Sequence, residues 1–315
     1  MTRVVAVTPN PAWDVTYGVD ELVPGESLRV RTATARAGGK GVNVARVARA
    51  LGHPSLAVGT AGGPLGAAVR DDLAAAGQDA LLVPVSGPTR QSVTVVPAAP
   101  DGAHPTVLNE PGALLSGAEW AALLDAVARA TEPGDVVTVS GSLPPGTSRD
   151  RFADLVTAAR GTGARVVVDT SGPALRWAAE AGAHLLKPNR SELADATGRE
   201  DPADAVALLQ GLGAGDVVVT DGAAGMTAYA PGDGRPRVAA RARLTGPPLA
   251  GNPTGAGDAA TAALAVALAG PGPATPWADR LALAVAVSAA AVLRPVAGDV
   301  DPADVATLRA RVAVS

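Results

Sequence analysis

The sequence predicts an α/β fold with a central, mostly parallel sheet that is covered by helices on both faces. Three observations carry that prediction. After Ser116, helical segments alternate regularly with short apolar segments. Each short segment is a continuous Val/Leu run, as expected for a strand that is buried on both faces. Each run also ends in polar or Gly residues, at the end of the strand where open α/β sheets place their ligand sites.

The first strand is predicted at Arg3–Thr8, an apolar run that breaks at Pro9. A run this short that ends at a proline favours a strand over a signal peptide. Residues 10–14 follow at its carboxyl end, where Asp14 is placed to accept hydrogen bonds from sugar hydroxyls. Residues 15–35 alternate irregularly in polarity and carry β-branched residues, which predicts strands of a small accessory sheet.

A Gly-rich loop then leads into an amphipathic helix. Gly38 and Gly39 leave room for a ligand, and Lys40 can reach an anion. We expect the helix to open at Asn43, because apolar side chains recur on one face beyond it. The Gly-Lys pair is followed by another Gly rather than by Ser or Thr, so the loop is not a Walker A motif and P-loop kinases are disfavoured. No G-x-G-x-x-G directly follows a strand with a suitable acid downstream, which disfavours a Rossmann dehydrogenase.

Two segments predict a lid of a few strands over the site, inserted at about residues 12–36 and 87–112 of a single domain that spans residues 1–315. Residues 81–108 are rich in β-forming residues and turns, and an NEPG segment follows them. Arg90 within this region is either a surface charge or a ligand for a phosphate group. Its position in the sequence leaves both interpretations open.

Regular alternation is predicted for the rest of the chain. A strand-to-helix turn at residues 59–66 leads to a helix that ends near Ala76. Further helices are expected at about residues 117–131, 149–162, 173–180, 277–293 and 302–312. Strands are expected at about residues 135–139, 165–169, 184–186 and 216–220, the last followed by a hairpin through Tyr229.

The chemistry is placed at the start of a long Ala/Leu/Val segment. Gly255, Ala256 and Gly257 are small enough to let an anionic group approach the backbone. A helix that begins here directs its unpaired N–H groups and the positive end of its dipole at that group. Asp258 then lies in the first turn, close enough to accept a proton from a hydroxyl. The alternative is a buried helix capped by Thr254, in which Asp258 only offsets the dipole.

A second polar pair follows the strand predicted at residues 184–186. Asn189 and Glu192 lie three residues apart, on one side of a first helical turn. Oxygen ligands in that arrangement suit a magnesium site, partly through water. Alternatively, Asn189 caps the helix and Glu192 completes a capping box.

Composition excludes several functions. The chain has 315 residues, of which 47% are apolar, so it can bury a full core. A net charge of −4 without any basic block disfavours nucleic-acid binding. The lack of Cys excludes disulfides, thiolate chemistry and Cys-containing zinc sites. His53, His104 and His184 show no metal-ligand spacing, and we interpret each as structural or exposed.

Lysine is rare in this sequence. Of the 26 basic residues, Lys40 and Lys187 are Lys and the others are Arg, which suggests that these two positions need a compact ammonium group. The longest strongly apolar stretch, Leu281–Leu293, is too short to span a membrane. We therefore expect a soluble, cytoplasmic protein with no membrane partner.

Three motifs together resemble the PfkB, or ribokinase-like, family of sugar kinases. Residues 38–45, GGKGVNVA, are similar to its first signature, and residues 252–258, NPTGAGD, are similar to its second. Residues 189–192, NRSE, resemble its N-x-x-E motif. The resemblance implies a ribokinase-like three-layer fold with a small β-sheet lid that often serves as a dimer interface. It also implies that ATP and Mg²⁺ are the cofactors.

Within the family, GGKG, NPAWD, an Arg after Gly-Pro-Thr, NEPG and SGSLPPG resemble the phosphosugar branch, which comprises 1-phosphofructokinase, the minor 6-phosphofructokinase and tagatose-6-phosphate kinase. The resemblance implies a role for each matching residue: Asp258 as base beside the anion hole of Gly255, Ala256 and Gly257; Asp14, Gly38, Gly39, Lys40 and Asn43 on the sugar; Arg90 on its phosphate; Lys187, Asn189, Thr220, Gly222 and Gly225 along ATP; Glu192 and Asn189 at Mg²⁺. The chain departs from the branch at Ser92, where Asn is usual.

The resemblance thus predicts an ATP- and Mg²⁺-dependent phosphosugar kinase that acts as a homodimer through its lid. Fructose 1-phosphate, converted to fructose 1,6-bisphosphate, is the favoured substrate, with tagatose 6-phosphate and fructose 6-phosphate behind it. One alternative is a kinase for an unphosphorylated sugar. Another is a sugar- or nucleotide-binding regulator without catalysis.

Overall fold

The computed structural model describes residues 2–98, 105–269 and 275–315. The strands in this part of the chain are β1 Val4–Thr8, β2 Ala12–Val19, β3 Thr32–Gly38, β4 Ser55–Ala61, β5 Ala80–Pro84, β6 Arg90–Pro97, β7 Thr106–Asn109, β8 Val136–Ser140, β9 Arg165–Asp169, β10 Leu185–Leu186, β11 Asp216–Thr220, β12 Met226–Ala230, β13 Arg237–Leu244 and β14 Val312–Val314. The helices are α1 Lys40–Ala50, α2 Gly63–Ala75, α3 Gly117–Arg129, α4 Arg149–Gly161, α5 Pro173–Glu180, α6 Arg190–Thr197, α7 Pro202–Leu212, α8 Ala256–Leu268, α9 Trp277–Val292 and α10 Pro302–Arg309.

A large sheet organises the described residues, with the strand order β14-β13-β12-β11-β10-β9-β8-β1-β4-β5. The strands from β11 to β5 pair in parallel. The strands β12, β13 and β14 extend the sheet in antiparallel fashion. The prediction of a central, mostly parallel sheet is therefore confirmed.

Helices cover both faces of this sheet, as the first strand illustrates. Val4 and Ala6 of β1 belong to a core cluster that includes α1, α8 and α9. Val5 and Val7, which point the other way, belong to a cluster that includes α3, α4, α5 and α7. Burial on both faces explains why the strands are continuous apolar runs rather than alternating ones. The three-layer arrangement predicted for the chain is confirmed.

A second, small sheet has the order β3-β2-β6-β7 and is called the lid below. The strands β2 and β6 run parallel, and β3 and β7 flank them in antiparallel fashion. The register pairs Asp14 with both Arg36 and Ser92, and it pairs Ser92 with Asn109. Polar side chains from distant parts of the sequence therefore lie side by side on the lid.

The structure differs from the expectations in a few elements. The helix α1 begins at Lys40 rather than at Asn43, because Gly39, with a φ of 98°, ends the loop in a conformation that favours Gly. The helix α7 was not predicted, although Asp201 caps it and a Pro occupies its first position, both of which are start signals.

The chain end also differs. The helix α10 ends at Arg309 instead of near residue 312. Val312–Val314 forms the strand β14, which pairs with β13, and neither strand was predicted. A three-residue strand carries almost no local signal, because it is extended only where a neighbouring strand offers hydrogen bonds.

Two further expectations concern single residues and membranes. His53 lies with its Nδ1 3.1 Å from the next carbonyl, and His184 Nδ1 accepts a hydrogen bond from the Val166 N–H at 3.0 Å. His104 lies outside the described residues, as does Gly270, the last residue of the Ala/Leu/Val segment that follows Gly257. Among the residues that are described, no helix is both long and apolar enough to cross a membrane.

Candidate active site

A cavity of about 770 Å³ opens at the carboxyl ends of β1, β8 and β9, beneath the lid. Both the edge of the sheet and the lid contribute side chains to its wall. The wall includes Asn10, Asp14, Gly39, Lys40, Asn43, Arg90, Ser92, Asn109, Glu192, Thr254, Gly255 and Asp258. Its volume lies within the range of small-molecule sites.

The start of α8 forms one side of the cavity. Gly255 is the N-cap in a left-handed conformation, with a φ of 86°, and no side chain caps the helix. The alternative in which Thr254 caps α8 is therefore wrong; the Thr254 N–H instead donates to Asn252 Oδ1 at 3.0 Å. The Ala256 N–H donates to the Pro253 carbonyl at 3.1 Å, whereas the N–H groups of Gly257 and Asp258 have no backbone acceptor among the described residues and are available to an anion.

Asp258 lies in the first turn of α8 and is buried. Its Oδ2 accepts a hydrogen bond from Asn43 Nδ2 at 2.8 Å. Burial raises the pKa of Asp258 to about 7, which Asp169 also favours and which the ammonium of Lys40 opposes. A carboxyl group with such a pKa can both accept and release a proton near neutral pH.

The structure adds Asp169, which the sequence analysis had assigned only as the end of a strand. Its Oδ1 lies 3.2 Å from Lys40 Nζ and its Oδ2 lies 3.1 Å from Lys187 Nζ. Thr261 Oγ1 donates to Oδ2 at 2.7 Å. Burial by itself would raise the pKa of Asp169, but Lys187 and Lys40 outweigh it and bring the pKa to about 2. Both lysines of the chain therefore converge on one carboxylate.

This convergence bears on the two lysines that the sequence analysis singled out. Lys187 is buried, and a Cβ added to Gly257 would lie 3.7 Å from its Nζ, so the ammonium lies close to the first turn of α8. The pKa of Lys40 is raised, chiefly by Asp169. One signal in the sequence could have identified Asp169 as a site residue: it is an acid directly after a Val run, at the carboxyl edge of the predicted sheet.

Asn189 and Glu192 form a complete capping box at the start of α6. Asn189 Oδ1 accepts from the Glu192 N–H and Glu192 Oε2 accepts from the Asn189 N–H, each at 2.8 Å. Glu192 Oε1 remains outside the box and lies 3.8 Å from Lys40 Nζ, on the cavity wall. The capping box is thus present, and the magnesium role of the pair stays a prediction.

The remaining residues predicted for ATP lie around the end of β11. Thr220 forms a parallel bridge with Asn189, which brings β11 beside the start of α6. Gly222 and Gly225 belong to the loop between β11 and β12. Gly225 packs against β13, because a Cβ there would lie 2.1 Å from the Ala242 carbonyl oxygen. Thr220, Gly222 and Gly225 do not line the cavity.

On the lid, Asp14 lies between the Gly-rich loop and a group of arginines. Its Oδ2 accepts from the Gly39 N–H at 3.4 Å, and a Cβ on Gly38 would lie 1.9 Å from the same oxygen. Burial raises the pKa of Asp14 to about 6, against the opposing effects of the Gly39 hydrogen bond and Arg90. Gly38 is therefore required by the packing of Asp14.

Arg90 is held at the opposite wall by oxygen atoms. Its Nε donates to the Asn10 carbonyl at 3.2 Å, and its Nη1 donates to the Glu110 carbonyl at 3.2 Å and to Asn109 Oδ1 at 3.5 Å. Ser92 Oγ donates to the same Asn109 Oδ1 at 2.8 Å. Asn109 therefore links Ser92 to Arg90, and it is a site residue that the sequence analysis did not single out.

A three-layer fold with a lid over the carboxyl ends of its strands defines the class of ribokinase-like sugar kinases. Residues 4–304 match the pfkB family of carbohydrate kinases, and the chain belongs to that family.

Known proteins agree with this assignment. The chain is 42% identical over 212 residues to 1-phosphofructokinase from Haloferax volcanii, a match that covers 66% of this chain and 66% of that protein, just under two thirds. The structure of phosphofructokinase-2 from Escherichia coli in complex with fructose-6-phosphate is 30% identical, with a TM-score of 0.83 over 98% of this chain and 99% of that one. Ribokinase from Arabidopsis thaliana, complexed with ribose and ATP, is 21% identical with a TM-score of 0.72 over 98% and 99% of the two chains, and it shows the fold alone. The predicted family and the ribokinase-like fold are confirmed.

Proposed function

We propose that this protein transfers a phosphoryl group from ATP to a hydroxyl of a phosphosugar. The observation that supports it best is that one cavity holds a buried carboxyl of pKa about 7 beside a helix start and, on the lid, a guanidinium. The first arrangement suits proton removal and phosphate stabilisation. The second suits recognition of a phosphate already present on the sugar.

In the proposed reaction, Asp258 accepts the proton of the sugar hydroxyl. At the same time the oxygen of that hydroxyl bonds to the γ-phosphorus of ATP. The bond between that phosphorus and the β–γ bridging oxygen breaks, and ADP leaves. The N–H groups at the start of α8 donate to the phosphoryl oxygens during the transfer. Lys187, which is held close to Gly257, adds positive charge at the same place.

The donor set fits a magnesium ion bound together with ATP. In the described residues, no group of three or more His, Cys, Asp or Glu side chains forms an all-protein metal centre. Mg²⁺ in kinases is held by one or two carboxylates with waters and substrate phosphates, and Glu192 offers Oε1 on the cavity wall. When bound, the ion would offset the charge of the ATP phosphates. Glu192 would hold it, while Asn189 has one lone pair engaged as a cap.

For the substrate, we propose fructose 1-phosphate, converted to fructose 1,6-bisphosphate. The motif set of the sequence and the name of the Haloferax volcanii relative support this choice. The Escherichia coli structure with fructose-6-phosphate keeps fructose 6-phosphate as the next candidate, with tagatose 6-phosphate beside it. A hexose in its ring form can present either end, so Arg90 recognises the phosphate without fixing its carbon.

The test is a coupled ADP-release assay with these three phosphosugars and unphosphorylated fructose. We expect a phosphosugar to be preferred over fructose by at least about 10²-fold in kcat/KM, and Arg90→Ala to remove most of that preference, because a charge-assisted bidentate contact is lost. Arg31→Ala is the matched control, since Arg31 pairs with Asp20 on the exposed surface. Equal use of fructose by the wild type and Arg90→Ala would contradict the phosphosugar assignment.

A further inference from the structure

A second cavity lies at the opposite edge of the large sheet. Its volume is about 470 Å³, and Arg165, Leu185 and Asp216, the first residues of β9, β10 and β11, contribute to its wall. The catalytic cavity lies at the carboxyl ends of the strands, whereas this one lies at their amino ends. No role in the proposed reaction accounts for it.

The start of α9 faces this cavity. The helix has 16 residues and begins at Trp277, and its N-cap, Pro276, supplies no side-chain hydrogen bond. Both residues line the cavity. The first N–H groups of such a helix, together with its dipole, attract an anion.

Arg280, in the first turn of α9, provides a second and independent observation. Its exposed fraction is 6%, and its Nε has no hydrogen-bond partner among the described residues. The guanidinium lies over the Trp277 ring, 4.9 Å from the centroid, and lines the cavity. A buried cationic group with an unmet N–H is costly unless a partner binds it, and stacking on an aromatic ring leaves the edge of the guanidinium free to donate.

Arg165 and His184, which also carry donors, line the same cavity. Arg165 Nη1 donates to the Leu268 carbonyl at 2.7 Å, which occupies one of the five N–H groups of its guanidinium. His184 Nδ1 accepts from the Val166 N–H, so the hydrogen of the neutral ring is on Nε2. Burial and the nearby Arg160 and Arg165 lower the pKa of His184, which keeps the ring neutral and its Nε2 a donor.

Asp216 is the opposing charge in this cluster. It lines the cavity, and burial raises its pKa while Arg280 and Arg237 oppose that rise. Two guanidinium groups against one carboxylate leave the cavity with a net positive charge. Its donors come from two guanidinium groups, one imidazole and a helix start, which is more than the two oxygens of a carboxylate ligand can use.

We propose that this cavity is a binding site for a small phosphate-bearing molecule, separate from the active site. The three terminal oxygens of a phosphate match donors that converge from Arg165, His184, Arg280 and the start of α9. The cavity is larger than a phosphate group requires, and Leu185, Leu268 and Pro276 give it an apolar side for the organic part of the ligand.

The test is calorimetric titration of the full chain with inorganic phosphate and with glycerol 2-phosphate at low ionic strength. Arg90→Ala, combined with Lys40→Met, removes two cations from the catalytic cavity and weakens anion binding there, so we expect saturable binding that survives in this double variant. In that background, Arg165→Gln and Arg280→Gln should each weaken binding about tenfold or more, because each removes a charge-assisted hydrogen bond. Asp216→Asn should tighten it, because the carboxylate repels the anion.

Arg129→Gln is the matched control, since that arginine is exposed and pairs only within α3. Loss of all binding in the Arg90→Ala, Lys40→Met background would overturn the proposal, as would unchanged affinity in both Arg165→Gln and Asp216→Asn. If Arg280→Gln does not fold by circular dichroism, the opposite effects expected of Arg165→Gln and Asp216→Asn still decide the question. The outcome does not depend on whether the protein is a phosphosugar kinase.

Discussion

At the scale of single residues, burial of the proposed base, Asp258, lowers the stability of the folded chain at neutral pH. Its pKa of about 7 in the folded chain, against 3.8 for an unperturbed Asp, means that folding disfavours the ionised form. Asp258 is ionised in both the folded and the unfolded chain above pH 7, and it is protonated in both well below pH 4. The penalty for burying the charge is therefore complete above pH 7 and disappears as the pH falls toward 4.

Asp258→Asn should thus lose activity and gain stability. We expect kcat to fall by about 10²–10⁴ because proton removal is lost. We also expect a higher Tm than wild type at pH 8, with a gain that vanishes at pH 4, since each pKa unit corresponds to about 1.4 kcal/mol. Calorimetric Tm across that pH range and kcat at saturating substrate measure the two effects. A variant that keeps more than about a third of wild-type turnover contradicts the role of base.

The pH profile of the wild type tests the same residue without a substitution. Asp258 must be ionised to accept a proton, so kcat should rise with pH to a plateau above about pH 7. Lys40 lowers the pKa of Asp258, so Lys40→Met should move this acidic limb upward by roughly one unit. The measurement is kcat against pH at saturating substrate, with the exposed Arg31→Met as control. An acidic limb that stays in place in Lys40→Met would mean that the limb belongs to another group.

At the scale of elements, the start of α6 separates capping from metal binding. Glu192→Gln retains a side chain that can complete the capping box but removes the charge offered to Mg²⁺. We expect the Mg²⁺ concentration for half-maximal rate to rise roughly tenfold, with little change in sugar KM. Asn189→Ser keeps an N-cap. An unchanged magnesium titration in Asn189→Ser would exclude Asn189 as a ligand, and an unchanged one in Glu192→Gln would leave the pair with a capping role alone.

At the scale of the whole molecule, one edge of the lid carries exposed apolar side chains. In β7, Val107 and Leu108 are 41% and 61% exposed, and β7 is the last strand of its sheet. An exposed strand edge with apolar side chains favours pairing with another chain. We therefore propose that the protein forms a homodimer through the lid. We also propose that residues 1–315 of each subunit act as one kinase domain.

Leu108→Glu should shift this dimer toward monomer, because a charge would be buried at the contact. Sedimentation velocity across a concentration series measures the change. Val314→Glu is the control, since Val314 is 40% exposed and lies in β14, the edge strand of the large sheet. A wild-type protein that is monomeric at every concentration, or a Leu108→Glu variant that remains dimeric, would rule out this interface.

Much of the molecule was predictable because its signals are local. The Val/Leu runs of β8 and β9 are buried on both faces, so their composition alone indicates a parallel sheet. The start of α8 is readable because the turn, the small residues and Asp258 all lie within residues 254–258. β14 was missed because its extended form depends on its pairing with β13 rather than on its own residues.

Residue types and their spacing along the chain therefore sufficed for the fold class and the family, and they place the proposed base, Asp258, at the start of a helix. The meeting of Lys40, Lys187 and Thr261 on Asp169 did not follow from spacing, because these residues lie far apart in the sequence. The packing of α1 and α8 against the sheet, together with the pairing of β9 with β10, brings them together. The pKa of Asp258 likewise depends on burial and on neighbours from α1 and β9. Desolvation and Coulomb interactions act through space, so only the packed chain decides how strongly a carboxyl group holds its proton.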